Sequence, residues 1–257
     1  MQESSLQAVQ RFDFITLQEM DTVKLLNRRD LKYVMHVDEA NLALEQLLKH
    51  YRVLQIEDKL STHYDTLYFD YPNFDFYIRH HNERVNRYKV RYRKYVESEL
   101  VYFEIKHKDN RGWTSKERCK RKKIHDTINE KSLDLLASKT SLDTENLAPK
   151  LWVNYERVTL VSNTMNERLT IDFSLTYHWH EREVAFGNLV IMEVKVGGNV
   201  HSPAVQILKD LHIREYSISK YCMGIAIIYP HLKRNNFKPK LNYISKFKTN
   251  DTTTNTQ

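Results

Sequence analysis

Residues 86–95, with the sequence NRYKVRYRKY, carry the side chains of this chain that are best suited to binding concentrated charge. Cations occupy alternate positions, and a period of two is typical of a β-strand. One face of this strand packs, and the other presents positive charge from Arg87, Lys89, Arg91 and Arg93. In solvent such a face is a solubilising surface or a nucleic-acid patch. In an enclosed space it needs a dense polyanion, because burying unpaired cations is costly.

The same alternation occurs in four other predicted strands, which place charge on one face at Arg28/Asp30/Lys32, Glu104/Lys106, Arg168/Asp172 and Glu193/Lys195. A sandwich with one solvated face gives the same pattern, so this alternative stays open. However, Glu193 and Lys195 interrupt a strand, residues 189–196, whose other face is aliphatic. If antiparallel strands of this kind close into a β-barrel, their charged side chains line a tunnel.

A lining of this composition suits phosphate chemistry. Arginine binds phosphate oxygens bidentately, while lysine acts as a point charge. A carboxylate repels phosphate unless a divalent cation lies between them, so Glu193, with Glu104 or Asp172 nearby, is the candidate metal site. The five glycines form neither a Gly-x-Gly-x-x-Gly nor a Walker pattern, so side chains must hold any phosphate. His80-His81 and His178/His180 lack the helical spacing of a zinc pair.

The overall composition limits the class of protein. The chain has 257 residues and a net charge of +7, which favours anionic partners without choosing among them. Its two cysteines form no Cys-x-x-Cys pair, so neither a disulfide framework nor a zinc site is indicated. The first residues do not resemble a signal peptide, and no stretch approaches the ~18 apolar residues of a membrane helix. We therefore expect a cytoplasmic protein without a membrane span.

The fold class expected is α+β, with antiparallel strands that can close into a barrel and with flanking helices. Residues 1–26 are expected to be a partly helical lead-in, 27–232 the tunnel domain, and 233–257 a basic and then polar tail that is partly disordered. Helical spacing runs from Asp38, a predicted N-cap, to about Tyr51, and again over residues 217–229. Residues 150–161 and 168–175 are predicted to form a hairpin. Residues 111–119 are predicted to be a loop that leads into the basic run at 120–123.

Taken in order, these segments resemble the VTC-domain family of polyphosphate polymerases, within the triphosphate tunnel metalloenzymes. The resemblance extends from about Arg28 to Gly224 and depends on nine short patterns. These are RxDxKY at 28–33, LYFD at 67–70, KVRYR at 89–93, FEIK at 103–106, GWTSK at 112–116, YxR at 155–157, RxxID at 168–172, MEVK at 192–195 and SKY at 219–221. No single pattern is decisive, whereas nine in the same order are specific.

The resemblance implies an eight-stranded tunnel that binds ATP and Mn²⁺ or Mg²⁺ and adds the γ-phosphoryl group of ATP to a growing inorganic polyphosphate. The residues expected at the reacting phosphates are Lys32, Arg91, Arg93, Lys106, Arg157, Arg168 and Lys195. Further phosphate-binding residues are expected at Arg28, Lys89, Lys116, Ser219 and Lys220. Glu193 is the expected metal ligand, and Glu104 the second candidate.

Two considerations separate this interpretation from its alternatives. Other tunnel enzymes carry Glu-x-Glu-x-Lys where this chain has Arg28 and Asp30, which argues against hydrolytic relatives of that type. A terminal phosphate oxygen is already anionic at neutral pH, so a polymerase needs no general base. The alternatives are a tunnel triphosphatase that hydrolyses triphosphate or nucleoside triphosphates, and a noncatalytic module that binds polyphosphate or nucleic acid. We expect no specific nucleic-acid partner.

Overall fold

Strands dominate the structure, a computed structural model that describes residues 6–20, 28–164, 167–197 and 201–249. The strands are β1 Phe14–Thr16, β2 Arg28–His36, β3 Tyr51–Gln55, β4 Thr62–Asp70, β5 Arg87–Tyr95, β6 Leu100–Lys108, β7 Thr114–Arg121, β8 Ala148–Ser162, β9 Glu167–Trp179, β10 Arg182–Phe186 and β11 Leu189–Gly197. The α-helices are α1 Leu17–Met20, α2 Val37–Leu47, α3 Asp75–His81, α4 Glu130–Lys139, α5 Pro203–Asp210, α6 Lys220–Ile228 and α7 Lys238–Ile244. Short 3₁₀-helices cover Gln7–Arg11, Asn235–Phe237 and Ser245–Phe247. The predicted α+β class is confirmed.

The eleven strands form one mostly antiparallel sheet. Its main path contains eight strands in the order β2-β11-β9-β8-β4-β5-β6-β7, and every neighbouring pair on this path is antiparallel. Three further strands lie off the path: β3 pairs with β8, β10 pairs with β9, and β1 pairs in parallel with β3. The predicted hairpin is confirmed as β8 and β9.

The expected barrel is not closed by hydrogen bonds, since no ladder joins β2 to β7 in the described part of the chain. The free edge of β2 is instead bonded by the segment before α6. Tyr216 N donates to Lys32 O at 2.7 Å, and Tyr33 forms an isolated bridge with Glu215. At the other end of the path, Arg121 donates to Lys131 O at the start of α4. The edge of β2 is therefore bonded locally, whereas the last residue of β7 is tied to α4 through its side chain.

Helices pack on both faces of the sheet. On the outer face, α2 and α5 cover β2, β11, β9 and β8, where Leu44 and Leu208 join the apolar cluster that contains Ile171 and Val194. On β5, the hydroxyl of Tyr92 donates to Ser132 of α4 at 3.2 Å. Helix α6 lies on the inner face, which carries the charged side chains. Part of the inner face is apolar as well, since α6 packs there on Leu151 and Tyr177, and the charged groups occupy the remainder.

Gly224 lets α6 approach the inner face of the sheet closely. A Cβ at this position would lie 2.5 Å from Leu151 Cδ2 and 2.6 Å from Tyr177 Cδ1. In an uncrowded helix, Gly→Ala stabilises by about 1 kcal/mol. Here we expect Gly224→Ala to lower the free energy of unfolding by about 1 to 3 kcal/mol, because overpacking outweighs helix propensity. Chemical denaturation measures the sign of the change, and a stabilised variant would contradict the close approach.

Several helix and strand limits differ from the sequence-based expectation. Helix α2 is capped by His36, whose Nδ1 accepts from Asp38 N at 3.3 Å, so Asp38 lies in the first turn. The helix ends at Leu47, and Tyr51 begins β3, which the helical spacing did not predict. Much of the predicted loop at 111–119 is strand β7. The predicted helix at 217–229 is confirmed as α6.

The chain beyond α6 packs against the domain. In the segment expected to be a tail, Lys238–Ile244 is helical, and Phe237, Ile244 and Phe247 are buried. Residues 250–257 lie outside the described residues. Over the ranges that the structure covers, none of the helices combines the length and apolar character needed to cross a membrane.

Candidate phosphate-binding site

Strand register brings the charged side chains of five strands, β2, β5, β6, β9 and β11, to one face of the sheet. Lys89 lies opposite Lys106, and Arg91 lies opposite Glu104. Across the sheet, Glu193 lies opposite Lys32, and Lys195 lies opposite Arg168. Residues directly opposite one another in antiparallel strands share a face. The separate charged patterns in the sequence therefore form one continuous inner surface.

A cavity of about 280 Å³, the basic cavity, opens on this surface. Lys32 and Glu193 line it from β2 and β11, and Lys89 and Lys106 line it from β5 and β6. These pairs of strands are far apart in the sheet order, so the sheet curls until its two halves face each other. Arg87, Lys108, Thr114 and Lys240 also line the basic cavity, and the exposed positions Lys108 and Thr114, paired at the end of the β6–β7 hairpin, mark its rim.

Glu104 is the first of two buried carboxylates that hold cations on this face. Arg91 donates from Nε to Glu104 Oε2 at 2.8 Å and from Nη1 to Tyr68 OH at 2.8 Å. Lys116 Nζ lies 2.5 Å from Glu104 Oε1, and Arg93 Nη1 lies 3.9 Å from Glu104 Oε2. Burial raises the pKa of Glu104, but Arg91, Arg93 and Lys116 together lower it well below its usual value. Glu104 is therefore ionised and fixes three cations.

Asp172 is the second such carboxylate. Arg157 binds it bidentately, with Nε 2.5 Å from Oδ1 and Nη2 2.7 Å from Oδ2, and Lys220 of α6 contacts the same Oδ2. The guanidinium of Arg157 lies over Tyr155, with 5.4 Å from Cζ to the ring centroid, and the Lys220 ammonium lies over the same ring at 4.5 Å. Burial opposes ionisation of Asp172, but Arg157 and Lys220 lower its pKa well below normal. This cluster joins β8, β9 and α6.

Arg93 retains unused hydrogen-bonding capacity. Its side chain is buried and its Cζ lies 5.3 Å from the centre of the Tyr64 ring. Its Nε has no hydrogen-bond partner in the part of the chain that the structure describes, and neither does Thr170 Oγ1. Leaving a buried donor unpaired costs about 1 to 3 kcal/mol. A phosphate oxygen on this face would supply the missing acceptor.

The concentration of positive charge changes the ionisation of its neighbours. Burial, followed by the charges of Lys89 and Lys32, lowers the pKa of Lys106 to about 8. Burial also lowers the pKa of Lys89, whose Nζ donates to Ser219 Oγ at 3.0 Å. Although burial raises the pKa of Tyr68, Arg91, Arg93 and Lys89 together lower it to about 8. The site favours negative charge even on a phenol.

Comparison with known proteins agrees with these features. A family model described as the VTC domain matches residues 27–229, most of the chain. The chain belongs to the VTC-domain family. This confirms the resemblance inferred from the sequence, and no curated protein matches the chain in sequence.

Solved structures that are similar to this VTC domain include an adenylyl cyclase candidate from Hippeastrum, which is described as having a dominant triphosphatase activity. It is 15% identical, with 79% of this chain and 97% of that chain covered and a TM-score of 0.49. An adenylate cyclase candidate from Vibrio parahaemolyticus is 12% identical, with 76% and 96% covered and a TM-score of 0.45. A conserved hypothetical protein from Pyrococcus furiosus is 12% identical, with 73% and 91% covered and a TM-score of 0.40.

Glu193 is a carboxylate that lines the basic cavity of this VTC domain. Although burial raises its pKa, Lys195 and Lys32 lower it to about 2, so the carboxylate is ionised. Asp30 lines the same cavity. Across the described residues, no group of three or more His, Cys, Asp or Glu side chains could hold a metal alone. Mg²⁺-type ions bind through one or two carboxylates together with substrate phosphates and water. The donors at Glu193 and Asp30 fit an ion that arrives with phosphate.

The sequence-predicted residues fall into three groups in the VTC domain. Register or contacts place on the inner face Lys32, Lys89, Arg91, Arg93, Lys106, Lys116, Arg157, Arg168, Glu193, Lys195, Ser219 and Lys220. Arg28 pairs with Gly197 through the backbone, and its side chain lies outside the described residues. Glu104, the second predicted metal ligand, contacts cations through both carboxylate oxygens, which favours a positioning role.

Sequence reasoning missed the aromatic residues of the site. Tyr64, Tyr68 and Tyr155 lie beneath the guanidinium groups of Arg93, Arg91 and Arg157. Tyr68 and Tyr155 belong to the LYFD and YxR patterns, but a tyrosine in a strand is typical of a core. For Tyr155 the signal available was its spacing, since it lies two positions from Arg157 on one strand face. Tyr68 is placed only by its register opposite Arg91, and Tyr64 lies opposite Tyr95 and Tyr155.

Proposed function

We propose that this VTC domain is a metal-dependent polyphosphate polymerase, which transfers the γ-phosphoryl group of ATP to a growing inorganic polyphosphate. The observation that carries the proposal is the row of cations on the inner face of β5, at residues 87, 89, 91 and 93. Alternate strand residues lie about 6.7 Å apart, so the row extends for about 20 Å. A row of this length suits an elongated polyanion better than a single phosphate.

The buried cations on the inner face are not fully paired within the described part of the protein, and an elongated polyanion would pair them. Burying charge is tolerable only with good pairing. The carboxylates Glu104 and Asp172 satisfy part of the demand, while Nε of Arg93 still lacks an acceptor among the described groups. Phosphate oxygens, with charge and several acceptor sites each, would complete the pairing. Over the described ranges, strand hydrogen bonds do not close the sheet into a tunnel. We propose that side chains from its facing halves enclose the polyphosphate when it is bound.

Phosphoryl transfer on this surface requires alignment and charge neutralisation. The attacking phosphate oxygen is already anionic, so no proton has to be removed. Arg91 and Arg157 are held by Glu104 and Asp172, so their guanidinium groups are oriented before substrate arrives. Lys32, Lys106 and Lys195 would offset charge on phosphates. A Mn²⁺ or Mg²⁺ ion held by Glu193 and Asp30 would neutralise phosphate charge as a Lewis acid.

A cytoplasmic location is part of the proposal. Cys119 and Cys222 are both free thiols. Free thiols fit a reducing compartment, and we assign the activity to the cytoplasm.

The direct test is incubation of the purified protein with ATP and Mn²⁺, followed by a gel stained for polyphosphate. We expect a ladder or smear of polymer together with ADP. ADP and orthophosphate without polymer would identify a triphosphatase. Binding of polyphosphate without turnover would identify a noncatalytic module.

Glu193→Gln separates catalysis from binding. We expect this substitution to lower polymer synthesis by about a hundredfold or more, because it removes the proposed metal ligand at nearly constant volume. Circular dichroism should show an unchanged fold. Glu183→Gln, at an exposed position of β10, is the matched control and should retain full activity. Undiminished synthesis by the Glu193→Gln variant would contradict a metal role for Glu193.

A further inference from the structure

The tip of the β6–β7 hairpin carries an aromatic side chain that the proposed phosphoryl transfer does not use. Trp113 is 72% exposed, which is unusual for the largest apolar residue. The next residue, Thr114, lines the basic cavity. Lys108, opposite Thr114 in the hairpin, lines the cavity as well. Trp113 therefore stands one residue outside the rim.

The backbone of the tip is held in one conformation. Asp109 N donates to Trp113 O at 2.9 Å, and Asp109 Oδ1 accepts from Arg111 N and Trp113 N, each at 2.9 Å. Gly112 has a φ of +85°, a left-handed conformation that glycine adopts without strain. Because hydrogen bonds already order the backbone of this turn, ligand binding to Trp113 would cost little loop entropy.

The rim also fixes which part of a ligand would reach Trp113. Arg87 lies opposite Lys108, and Arg91 is four residues further along β5, which corresponds to about 13 Å of strand. A nucleoside triphosphate whose terminal phosphate reaches Arg91 would extend its remaining phosphates past Lys89 toward the rim. Its ribose and base would then emerge where Trp113 stands.

We propose that Trp113 stacks on the base of the nucleoside triphosphate donor, so that the β6–β7 tip distinguishes a nucleotide from inorganic triphosphate. The inference rests on the proposed function, in which ATP is the donor. Stacking requires only the face of a base, and hydrogen-bonding groups specific for one base are not needed. We therefore expect other purine nucleotides to bind in the same way.

Binding of ATP and of tripolyphosphate to the wild-type protein and to Trp113→Ala, measured by calorimetry with the same divalent ion, tests the inference. Trp113→Ala should weaken ATP binding about five- to tenfold, because one stacking contact is lost. Tripolyphosphate has no base, so its affinity should stay unchanged and also shows that the variant is folded. Trp113→Phe should retain most of the ATP affinity. Phe14→Ala, which removes another exposed aromatic from β1, should change neither affinity.

The outcomes separate this inference from the proposed function. Equal loss of both ligands would overturn base stacking, because it indicates a general defect at the rim. Unchanged ATP binding by Trp113→Ala would overturn it too, while polymer on the gel would still support the polymerase. A wild-type protein that binds ATP through Trp113 yet makes no polymer would overturn the polymerase and support the stacking role.

Discussion

Arg91→Glu is expected to abolish polyphosphate synthesis, with a loss of about a thousandfold or more in kcat/KM. The wild-type guanidinium bonds Glu104 and Tyr68 and faces the inner surface between Lys89 and Arg93. Each charge-assisted hydrogen bond contributes about 1.5 to 3 kcal/mol. The substitution removes these bonds and places a second carboxylate beside Glu104. It would therefore repel both its neighbour and the substrate.

Lys94→Glu is the matched control for this prediction. Lys94 is on the same strand, but it lies opposite Asp65 and Val101 and so belongs to the other face. The Lys94→Glu substitution changes the net charge by the same amount as Arg91→Glu does, and we expect it to leave the activity close to that of the wild type. Steady-state kinetics with ATP and Mn²⁺ compares the two variants. Comparable activity in both, with only solubility altered, would mean that the cationic face of β5 is a solvated surface.

The two carboxylate clusters explain why the inner face is more than a basic patch. A nonspecific nucleic-acid surface needs cations that follow a flexible backbone in solvent. Here Glu104 and Asp172 are nearly inaccessible, and each fixes at least one guanidinium group in a defined orientation. Guanidinium groups held in fixed orientations suit a chemical step in which negative charge develops at defined positions. This difference favours an enzyme over a general polyanion binder.

Strand periodicity predicted which residues share a face, because side-chain direction in a strand depends only on odd or even position. It failed where tertiary contacts decide the structure. Tyr51 continued a helical spacing, but its hydroxyl donates to Glu167 at 2.7 Å across the sheet, and the residue begins β3. Strand β7 was missed because Thr114–Arg121 is largely exposed at the sheet edge and has no apolar face that would indicate a strand.

The charged residues of the site were predictable, but their pairing was not. Both Glu104 and Glu193 alternate with lysine in strands, so the two glutamates have the same local pattern. Their different roles depend on register. Glu104 bonds Arg91, which is 13 positions away, while Glu193 lies opposite Lys32 on the neighbouring strand β2. Asp172 depends on Lys220, which is 48 positions away on another element. Contacts of this kind arise only when the sheet curls and α6 packs against it.

Asp172→Asn is expected to destabilise the fold strongly. It leaves Arg157 and Lys220 buried without their carboxylate, and breaking a buried ion pair costs about 3 to 5 kcal/mol. The effect depends on pH. The pKa of Asp172 is lower in the folded protein than in the unfolded chain, so its contribution is complete above the unfolded value of about 4. That contribution is lost as the pH falls through and below this value toward the folded pKa.

Urea denaturation at neutral pH and at successively lower pH measures this difference in free energy of unfolding. The gap between wild type and Asp172→Asn should be largest at neutral pH and should narrow on acidification. Asp210→Asn, an exposed change on α5, should shift stability by no more than about 0.5 kcal/mol. Tripolyphosphate should restore stability to Asp172→Asn more than it stabilises wild type, because the ligand supplies negative charge to Arg157 and Lys220 and binds only the folded state. A gap that is independent of both pH and tripolyphosphate would show that Asp172 acts through packing, and that these two cations do not face the phosphate site.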